Sequence, residues 1–193
     1  MDIQLTVAFG PQIAAAATRH HLDPRLLAAV AAQETGGPGS DSGRNVVGDA
    51  GHGHGVFQID DRWHPFARTP AAMDPATNAD YAAGLLRSNL DRYGGDVRAA
   101  LSAYNAGSPT ATGTRTDWGN GRALGYADSV LRHYARLGGN ASAPAAATAS
   151  DPGIAAGWPG FLPLNLPAYR PLPPVDTRDR DLAPELADDP TTD

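Results

Sequence analysis

One carboxylate, Glu34, stands out because it lies on the apolar face of a predicted helix. Leu27, Val30 and Glu34 recur at intervals of three and four within residues 23–35, which is the spacing that brings side chains onto one face of an α-helix. Burial disfavours a charged carboxyl group, and the negative end of the helix dipole acts in the same direction. An acid that stays protonated near neutral pH is what glycosidic bond cleavage requires. The simpler alternative is a helix-end carboxylate turned towards solvent.

Two aspartates further along the chain could supply the second group that hydrolysis needs. Asp49 follows Glu34 by 15 residues, Asp60 follows Asp49 by 11, and glycines are frequent between them. Inverting hydrolysis pairs a protonated acid with a carboxylate that has room for a water molecule. Buried surroundings for Glu34 and a wet loop for Asp49 would push the two pKa values apart. Either aspartate could instead serve a turn or a helix cap.

Helix signals on both sides of these residues predict a mostly α fold. Asp23-Pro24, Asp74-Pro75 and Asp96 are typical of helix N-termini, where a side-chain oxygen caps free N–H groups. We predict helices over residues 11–20, 23–35, 75–93, from 97 onwards and 122–137. Residues 36–56 and 107–121 are glycine-rich and predict loops, and the apolar segment 56–59 predicts a short strand.

The composition divides the chain into two parts near residue 140. Ten of the 17 prolines fall in residues 141–193, which also hold 8 acidic residues against 3 arginines. Such a segment buries too little apolar surface to offset its ordering entropy. We therefore predict a domain over 1–140 and a disordered, acidic tail over 141–193. The apolar patch at 158–164 could dock on the domain or on a partner protein.

Charge and hydropathy exclude several classes of function. Residues 1–140 hold 12 arginines and 13 acidic residues, a balance that does not suggest nucleic-acid binding. No apolar run is long enough to span a bilayer, so we predict no stable membrane insertion. The start of the chain lacks the basic and apolar regions of a secretory signal. With no cysteine, disulfides and thiolate chemistry are excluded.

Four segments occur in an order that resembles the soluble lytic transglycosylase and goose-type lysozyme superfamily. They are a helix-final Glu34-Thr35-Gly36, the stretch 49–60, Ala103-Tyr104-Asn105-Ala106-Gly107, and Tyr126 at the start of a last helix. Gly53-His54-Gly55-Val56-Phe57-Gln58-Ile59-Asp60, followed by Arg62 and His64, is similar to a G-x-G-L-M-Q-V-D-x-R-x-H stretch of the goose-type branch. The resemblance covers roughly residues 11–137 and implies a lysozyme-like α-helical domain with a short β-like, glycine-rich segment.

The resemblance also implies roles for individual residues. Glu34 would be the general acid, and Asp49 and Asp60 would position or activate water. The substrate-binding residues would be Gly55, Gln58, His64, Tyr104, Asn105 and Tyr126. A buried amide that ties down its loop is the alternative for Gln58, and a core tyrosine is the alternative for Tyr104.

The implied activity is cleavage of the β-1,4 bond between N-acetylmuramic acid and N-acetylglucosamine in peptidoglycan. The paired aspartates favour hydrolysis. The alternatives are lytic transglycosylation with 1,6-anhydro products, or a non-catalytic glycan-binding module of a phage tail or secretion system. We expect no cofactor and no metal, although His52, His54 and His64 leave a metal hydrolase as a further alternative. The substrate places the activity in the periplasm or outside the cell, and delivery would be by a phage or a secretion system.

Overall fold

Helices make up most of the structure. The computed structural model describes residues 5–119, 121 and 123–140. The helices are α1 (Gly10–Arg19), α2 (Pro24–Ala31), α3 (Pro75–Arg92), α4 (Val97–Ala106) and α5 (Tyr126–Arg136). The strands are β1 (Val46–Gly48), β2 (Gly53–Gly55), β3 (Ile59–Asp60), β4 (Thr116–Asp117) and β5 (Ala123–Leu124). The predicted mostly α fold is confirmed, whereas the predicted tail, with its patch at 158–164, lies outside the described residues.

Local capping explains where three of the helices begin. The side chains of Asp23, Asp74 and Asp96 accept hydrogen bonds from the backbone N–H groups at the starts of α2, α3 and α4. Each bond satisfies one of the N–H groups that a helix leaves free in its first turn. Pro24 and Pro75 occupy first helical positions, where a missing N–H group does no harm. The capping predictions are therefore confirmed.

Small side chains let the helices approach one another closely. Every residue from Leu26 to Ala32 is fully buried, and four of these seven residues are alanine. Helix α1 packs on α3, α3 on α4, and α2 on α5. Because α2 contacts helices on both sides, it forms the centre of the core. Among the described residues, no helix has the length and apolarity needed to cross a membrane.

A small antiparallel sheet fills the first glycine-rich segment, with the strand order β1-β2-β3. Its register pairs Gly48 with Gly53 and Gly53 with Asp60. The strand predicted over 56–59 is wrong in its position, since residues 56–58 form the turn between β2 and β3. Gln58 takes a positive φ of 47° in that turn, which is incompatible with an extended strand. A β4–β5 hairpin that the sequence did not predict follows α4. Because β5 occupies residues 123–124, the helix predicted over 122–137 is wrong at its start, and α5 begins at Tyr126.

Candidate active site

Glu34 lies in a π-helical turn, Ala32–Gly36, that directly continues α2. The prediction that an α-helix runs through residue 35 is therefore wrong at its end, because α2 stops at Ala31. The Gly37 N–H donates to the Ala32 carbonyl over 2.9 Å, a bond that spans five residues instead of four. Single π turns of this kind are frequent at functional sites. The wider turn changes the direction of Glu34 relative to the stripe on α2.

The Glu34 carboxyl group faces a phenol across the core. The Tyr126 hydroxyl, at the first position of α5, donates to Glu34 Oε1 over 2.5 Å. Burial raises the pKa of Glu34 to about 7, although the Tyr126 hydrogen bond acts in the lowering direction. The residue as a whole is nevertheless partly exposed. Glu34 is thus an acid that can both donate and accept a proton near neutral pH.

Two tyrosines form one wall of this site. The rings of Tyr104 and Tyr126 are stacked, with their centroids 6.4 Å apart and their planes at 19°. Burial, together with the charge of Glu34, raises the pKa of both phenols well above 10, so both stay neutral. The buried Tyr104 hydroxyl has no hydrogen-bond partner in the described part of the chain. A buried polar group without a partner is costly, and a substrate atom or a water molecule could satisfy it.

Thr35 fixes the π turn to the sheet. Its hydroxyl oxygen accepts from the Arg44 N–H over 2.7 Å and lies 3.0 Å from the Val56 carbonyl oxygen. The Arg44 side chain donates back to the Thr35 carbonyl over 2.8 Å. The Thr35 hydroxyl that follows Glu34 therefore helps to hold the π turn in position.

Gln33 fixes the other side of the turn, and sequence reasoning missed it. Its Oε1 accepts from the Ser129 hydroxyl of α5 over 2.5 Å, and its Nε2 donates to Thr116 Oγ1 over 2.8 Å. Ser129 is fully buried and lies three residues after Tyr126. A polar residue on the apolar face of α5 was the available signal, because buried hydroxyl groups need partners.

Asp49 and Asp60 both contact Arg62. The Arg62 Nη2 lies 2.5 Å from Asp49 Oδ2 and 2.6 Å from Asp60 Oδ2. Burial raises the pKa of Asp60, but the hydrogen bonds and charge of Arg62 outweigh it and hold that pKa below the usual range. Asp60 also accepts from the Arg62 backbone N–H over 2.8 Å, as in an Asx turn. In the described residues, no hydrogen bond joins these aspartates to Glu34.

Gln58 and Gly55 are placed for structural roles in the sheet. The Gln58 Nε2 donates to the carbonyl oxygens of Val46 and Gly55, at 3.0 and 2.9 Å. Its amide oxygen fills the space over Gly48 and Gly53, where an added Cβ would lie within 2.5 Å of it. Gly55 has a φ of +80°. Substrate contact by Gln58 or Gly55 stays a prediction.

Gly55 is also packed tightly against a buried amide. A Cβ at Gly55 would lie 2.5 Å from Asn78 of α3. Asn78 itself accepts from the Phe57 N–H over 2.9 Å and donates to the His54 carbonyl over 3.1 Å. Asn78 therefore attaches the sheet to α3, a contact that the sequence did not reveal.

The two remaining predicted binding residues hold neighbouring segments. The His64 Nδ1 lies 3.0 Å from the Tyr81 hydroxyl of α3, and burial lowers the pKa of His64 against the opposing charge of Asp60. The Asn105 Oδ1 accepts from the Thr114 N–H over 2.8 Å, which closes the loop after α4. Their contact with substrate stays a prediction.

The loop histidines pair with a carboxylate and not with each other. His52 Nδ1 and His54 Nε2 lie 2.9 and 3.3 Å from the two oxygens of Asp61. His64 bonds to α3 instead, as described above. Across residues 5–119, 121 and 123–140, no group of three or more His, Cys, Asp or Glu side chains is arranged to hold a metal ion.

Comparison with known proteins agrees with this geometry. A model of the family described as "Transglycosylase SLT domain" matches residues 11–119. A protein of Enterobacteria phage PRD1 named "Transglycosylase" is 33% identical over 158 residues, which are 81% of this chain and 54% of that protein. The chain thus spans about half the length of this curated relative. Because the family model covers more than half of the chain, including Glu34 and the Tyr104 segment, the protein belongs to the SLT transglycosylase domain family.

Proposed function

We propose that this protein is a lytic transglycosylase that cleaves the β-1,4 bond between N-acetylmuramic acid and N-acetylglucosamine in peptidoglycan. The observation that carries the proposal is the carboxyl group of Glu34, whose pKa is raised to about 7 by burial and which accepts a hydrogen bond from the Tyr126 phenol. The family and the name of the phage relative support the same activity. Hydrolysis, which the sequence favoured, has weaker support.

One carboxyl group with this pKa suffices for both proton transfers of the reaction. Protonated Glu34 would donate its proton to the glycosidic oxygen as the bond to the muramoyl C1 breaks. The carboxylate formed would then accept the proton of the muramoyl C6 hydroxyl as its oxygen attacks C1. The product is a 1,6-anhydro ring, no water is consumed, and the proton returns to Glu34. The Tyr126 hydroxyl would stabilise the carboxylate between the two steps, since hydrogen bonds favour the charged form.

The aspartates are poorly placed to act as the base for water. Arg62 binds both carboxylates. The lowered pKa of Asp60 makes it a weaker base. Inverting hydrolysis needs a free carboxylate that holds water on the opposite face of the sugar. We therefore assign the aspartates and Arg62 to the conformation of the loop that carries them.

The substrate residues and the place of action follow from the same proposal. The Tyr104 hydroxyl would bind a polar group of the sugar chain, because it is buried near Glu34 without a partner in the described residues. Gly55, Gln58, His64 and Asn105 would shape the groove through the contacts given above. The substrate places the activity on the cell wall, reached through a phage or a secretion system.

Product analysis tests the proposal directly. Purified peptidoglycan is digested in heavy-oxygen water, and the released muropeptides are analysed by mass spectrometry. We expect 1,6-anhydromuramoyl ends without the heavy label. Reducing ends that carry the label would show that water is the nucleophile and that the protein is a hydrolase.

Matched variants of the aspartates complete the test. Asp49→Asn and Asp60→Asn should keep the same 1,6-anhydro products, with turnover within about tenfold of wild type because neither group takes part in the chemistry. Arg98→Gln, which removes an ion pair with Asp128 elsewhere on the surface, is the control. A loss of about 1,000-fold in both Asn variants would return the aspartates to a catalytic role.

A further inference from the structure

Three hydrogen bonds link four side chains beside Glu34 into a ring that the backbone closes. The Trp118 indole N–H donates to Ser129 Oγ over 2.8 Å, and Ser129 donates to Gln33 Oε1 over 2.5 Å. Gln33 donates in turn to Thr116 Oγ1 over 2.8 Å. Because Thr116 and Trp118 lie on the same hairpin, β4–β5, the backbone closes the ring.

The ring joins three elements that are far apart in sequence. Gln33 belongs to the π turn and Ser129 to α5. Thr116 lies in β4 of the hairpin, and Trp118 is the residue after β4. Ser129 lies one turn from Tyr126, and Gln33 directly precedes Glu34. The ring therefore braces the two residues whose side chains meet at the carboxyl group, Glu34 and Tyr126.

The indole of Trp118 is itself held firmly in place. The Arg132 guanidinium lies 4.3 Å from the ring centroid of Trp118, a cation–π distance. The His133 ring lies on Trp118 with a centroid separation of 4.6 Å. Both partners belong to α5, so the hairpin is attached to the helix that presents Tyr126. Burial lowers the pKa of His133 to about 4, so the imidazole that packs on Trp118 is uncharged near neutral pH.

We propose that Gln33 is a positioning residue. Through the Trp118–Ser129–Gln33–Thr116 ring, it makes the position of the Glu34 carboxyl group depend on the positions of the β4–β5 hairpin and α5. The inference rests on the proposed function. It gives a role to four residues to which the family resemblance assigns no role. Gln33 touches neither substrate nor reacting atoms in this scheme. It keeps the turn in the one conformation in which Glu34 is both desolvated and bonded to Tyr126.

Catalysis should be sensitive to such bracing. Displacing a catalytic group by about 1 Å can reduce the rate on the order of a hundredfold. A turn released from its ring would also let water reach the carboxyl group. The pKa of Glu34 would then fall from about 7 towards its ordinary value of 4.5. Tyr126 and Tyr104 are the titratable groups that face Glu34, and both remain neutral throughout this range.

The experiment compares three substitutions that remove different parts of the ring. Gln33→Met removes both bonds at the centre, Ser129→Ala removes the α5 side, and Thr116→Val removes the hairpin side. For each we measure kcat and KM for glycan cleavage between pH 4 and 9. We expect kcat to fall about 10- to 100-fold in Gln33→Met with KM little changed, and the alkaline limb of the kcat profile to move to lower pH.

Double variants show whether the effects pass through Gln33. Ser129→Ala and Thr116→Val should each have little further effect in the Gln33→Met background, because groups that act as one unit are not additive. Thr18→Val, which loses one hydrogen bond on α1, is the matched control with an unshifted profile.

Two results would overturn the inference. One is a Gln33→Met variant whose pH profile and kcat match those of wild type. The other is full additivity of the substitutions with an unshifted profile, which would indicate general destabilisation only. If Ser129→Ala fails to fold, Thr116→Val still allows the test, because Thr116 lies at the edge of the fold. The rates count every cleaved glycosidic bond, whether the new ends are anhydro or reducing. A failure of the proposed function would therefore be recognised from the products and not from these rates.

Discussion

Burial and the Tyr126 hydroxyl act on Glu34 in opposite directions. Burial favours the protonated acid, whereas the hydrogen bond from Tyr126 favours the carboxylate. The resulting pKa of about 7 lies where a group can donate a proton in one step and accept it in the next. The chemistry of the site therefore depends on the balance of two local contacts.

Replacing the carboxyl group should abolish cleavage without unfolding the protein. Glu34→Gln keeps the size of the side chain and an acceptor for Tyr126, but it cannot transfer a proton. We expect activity to fall about 1,000-fold, since both proton transfer and charge stabilisation are lost. The release of soluble muropeptides measures activity, and circular dichroism checks the fold. A folded variant with near-wild-type turnover would remove Glu34 from the mechanism.

Removing only the Tyr126 hydroxyl should change the pH dependence. In Tyr126→Phe the contact that lowers the pKa of Glu34 is absent, so that pKa rises above about 7. The acid then stays protonated to higher pH, and the alkaline limb of the kcat profile moves upwards. The maximal rate should fall about tenfold because the carboxylate loses a stabilising bond. A limb that stays in place or moves to lower pH contradicts this assignment.

At the scale of elements, the sequence predicted the helix starts that are determined by local contacts. Asp23-Pro24 and Asp74-Pro75 place the starts of α2 and α3 because a cap acts within three residues. The π turn was missed, since a single wide turn leaves the apolar spacing of α2 unchanged. The apolar segment 56–59 predicted a strand, whereas Gln58 has a positive φ and its side chain packs over Gly48 and Gly53, ten and five residues earlier.

Contacts between distant elements had no local signal. The bond between Ser129 and Gln33 spans 96 residues, and nothing in either segment specifies the other. Tyr126 was named as a site residue only through family resemblance, and the structure places its hydroxyl in direct contact with Glu34. Asp49 and Asp60 were predicted to act on water, and their spacing did not show that Arg62 would bind both.

The cap of α2 provides a test at this scale. Asp23 accepts from the Arg25 N–H over 2.8 Å and from the Tyr134 hydroxyl over 2.7 Å. Asp23→Ala should therefore reduce the free energy of unfolding by about 2 kcal/mol, from one cap and one further hydrogen bond. Asp96→Ala loses a cap only, so we expect about 1 kcal/mol. Urea denaturation measures both, and equal losses would show that Tyr134 contributes nothing.

At the scale of the whole molecule, the described helices complete their core before residue 141. The core residues extend from Ile13 to Tyr134, and α5 closes the structure against α2 and α4. The boundary between a domain at 1–140 and a tail at 141–193 stays a prediction.

Truncation tests this boundary. A protein that ends at Asn140 should melt within about 3 °C of the full chain, since we predict that residues 141–193 are a disordered tail. The truncated protein should also release muropeptides at a rate similar to that of the full chain. Calorimetry and turbidity of a peptidoglycan suspension measure the two quantities. A truncated protein that fails to fold would place the patch at 158–164 in the core.

The desolvated carboxyl group also makes folding and proton binding interdependent. Because the pKa of Glu34 is raised from 4.5 to about 7 in the folded state, the native protein holds a proton that the unfolded chain releases more readily. This contribution is fully present below pH 4.5 and is lost as the pH rises through about 7. The loss amounts to about 3 kcal/mol at most, since the residue is partly exposed.

Glu34→Gln should remove this dependence and be more stable than wild type above pH 7, with little difference at pH 4. Melting temperatures measured between pH 4 and 9 would show two curves that separate as the pH rises, and parallel curves would contradict the linkage. The carboxyl group that we propose as the proton donor would then also make the fold less stable as the pH rises through about 7.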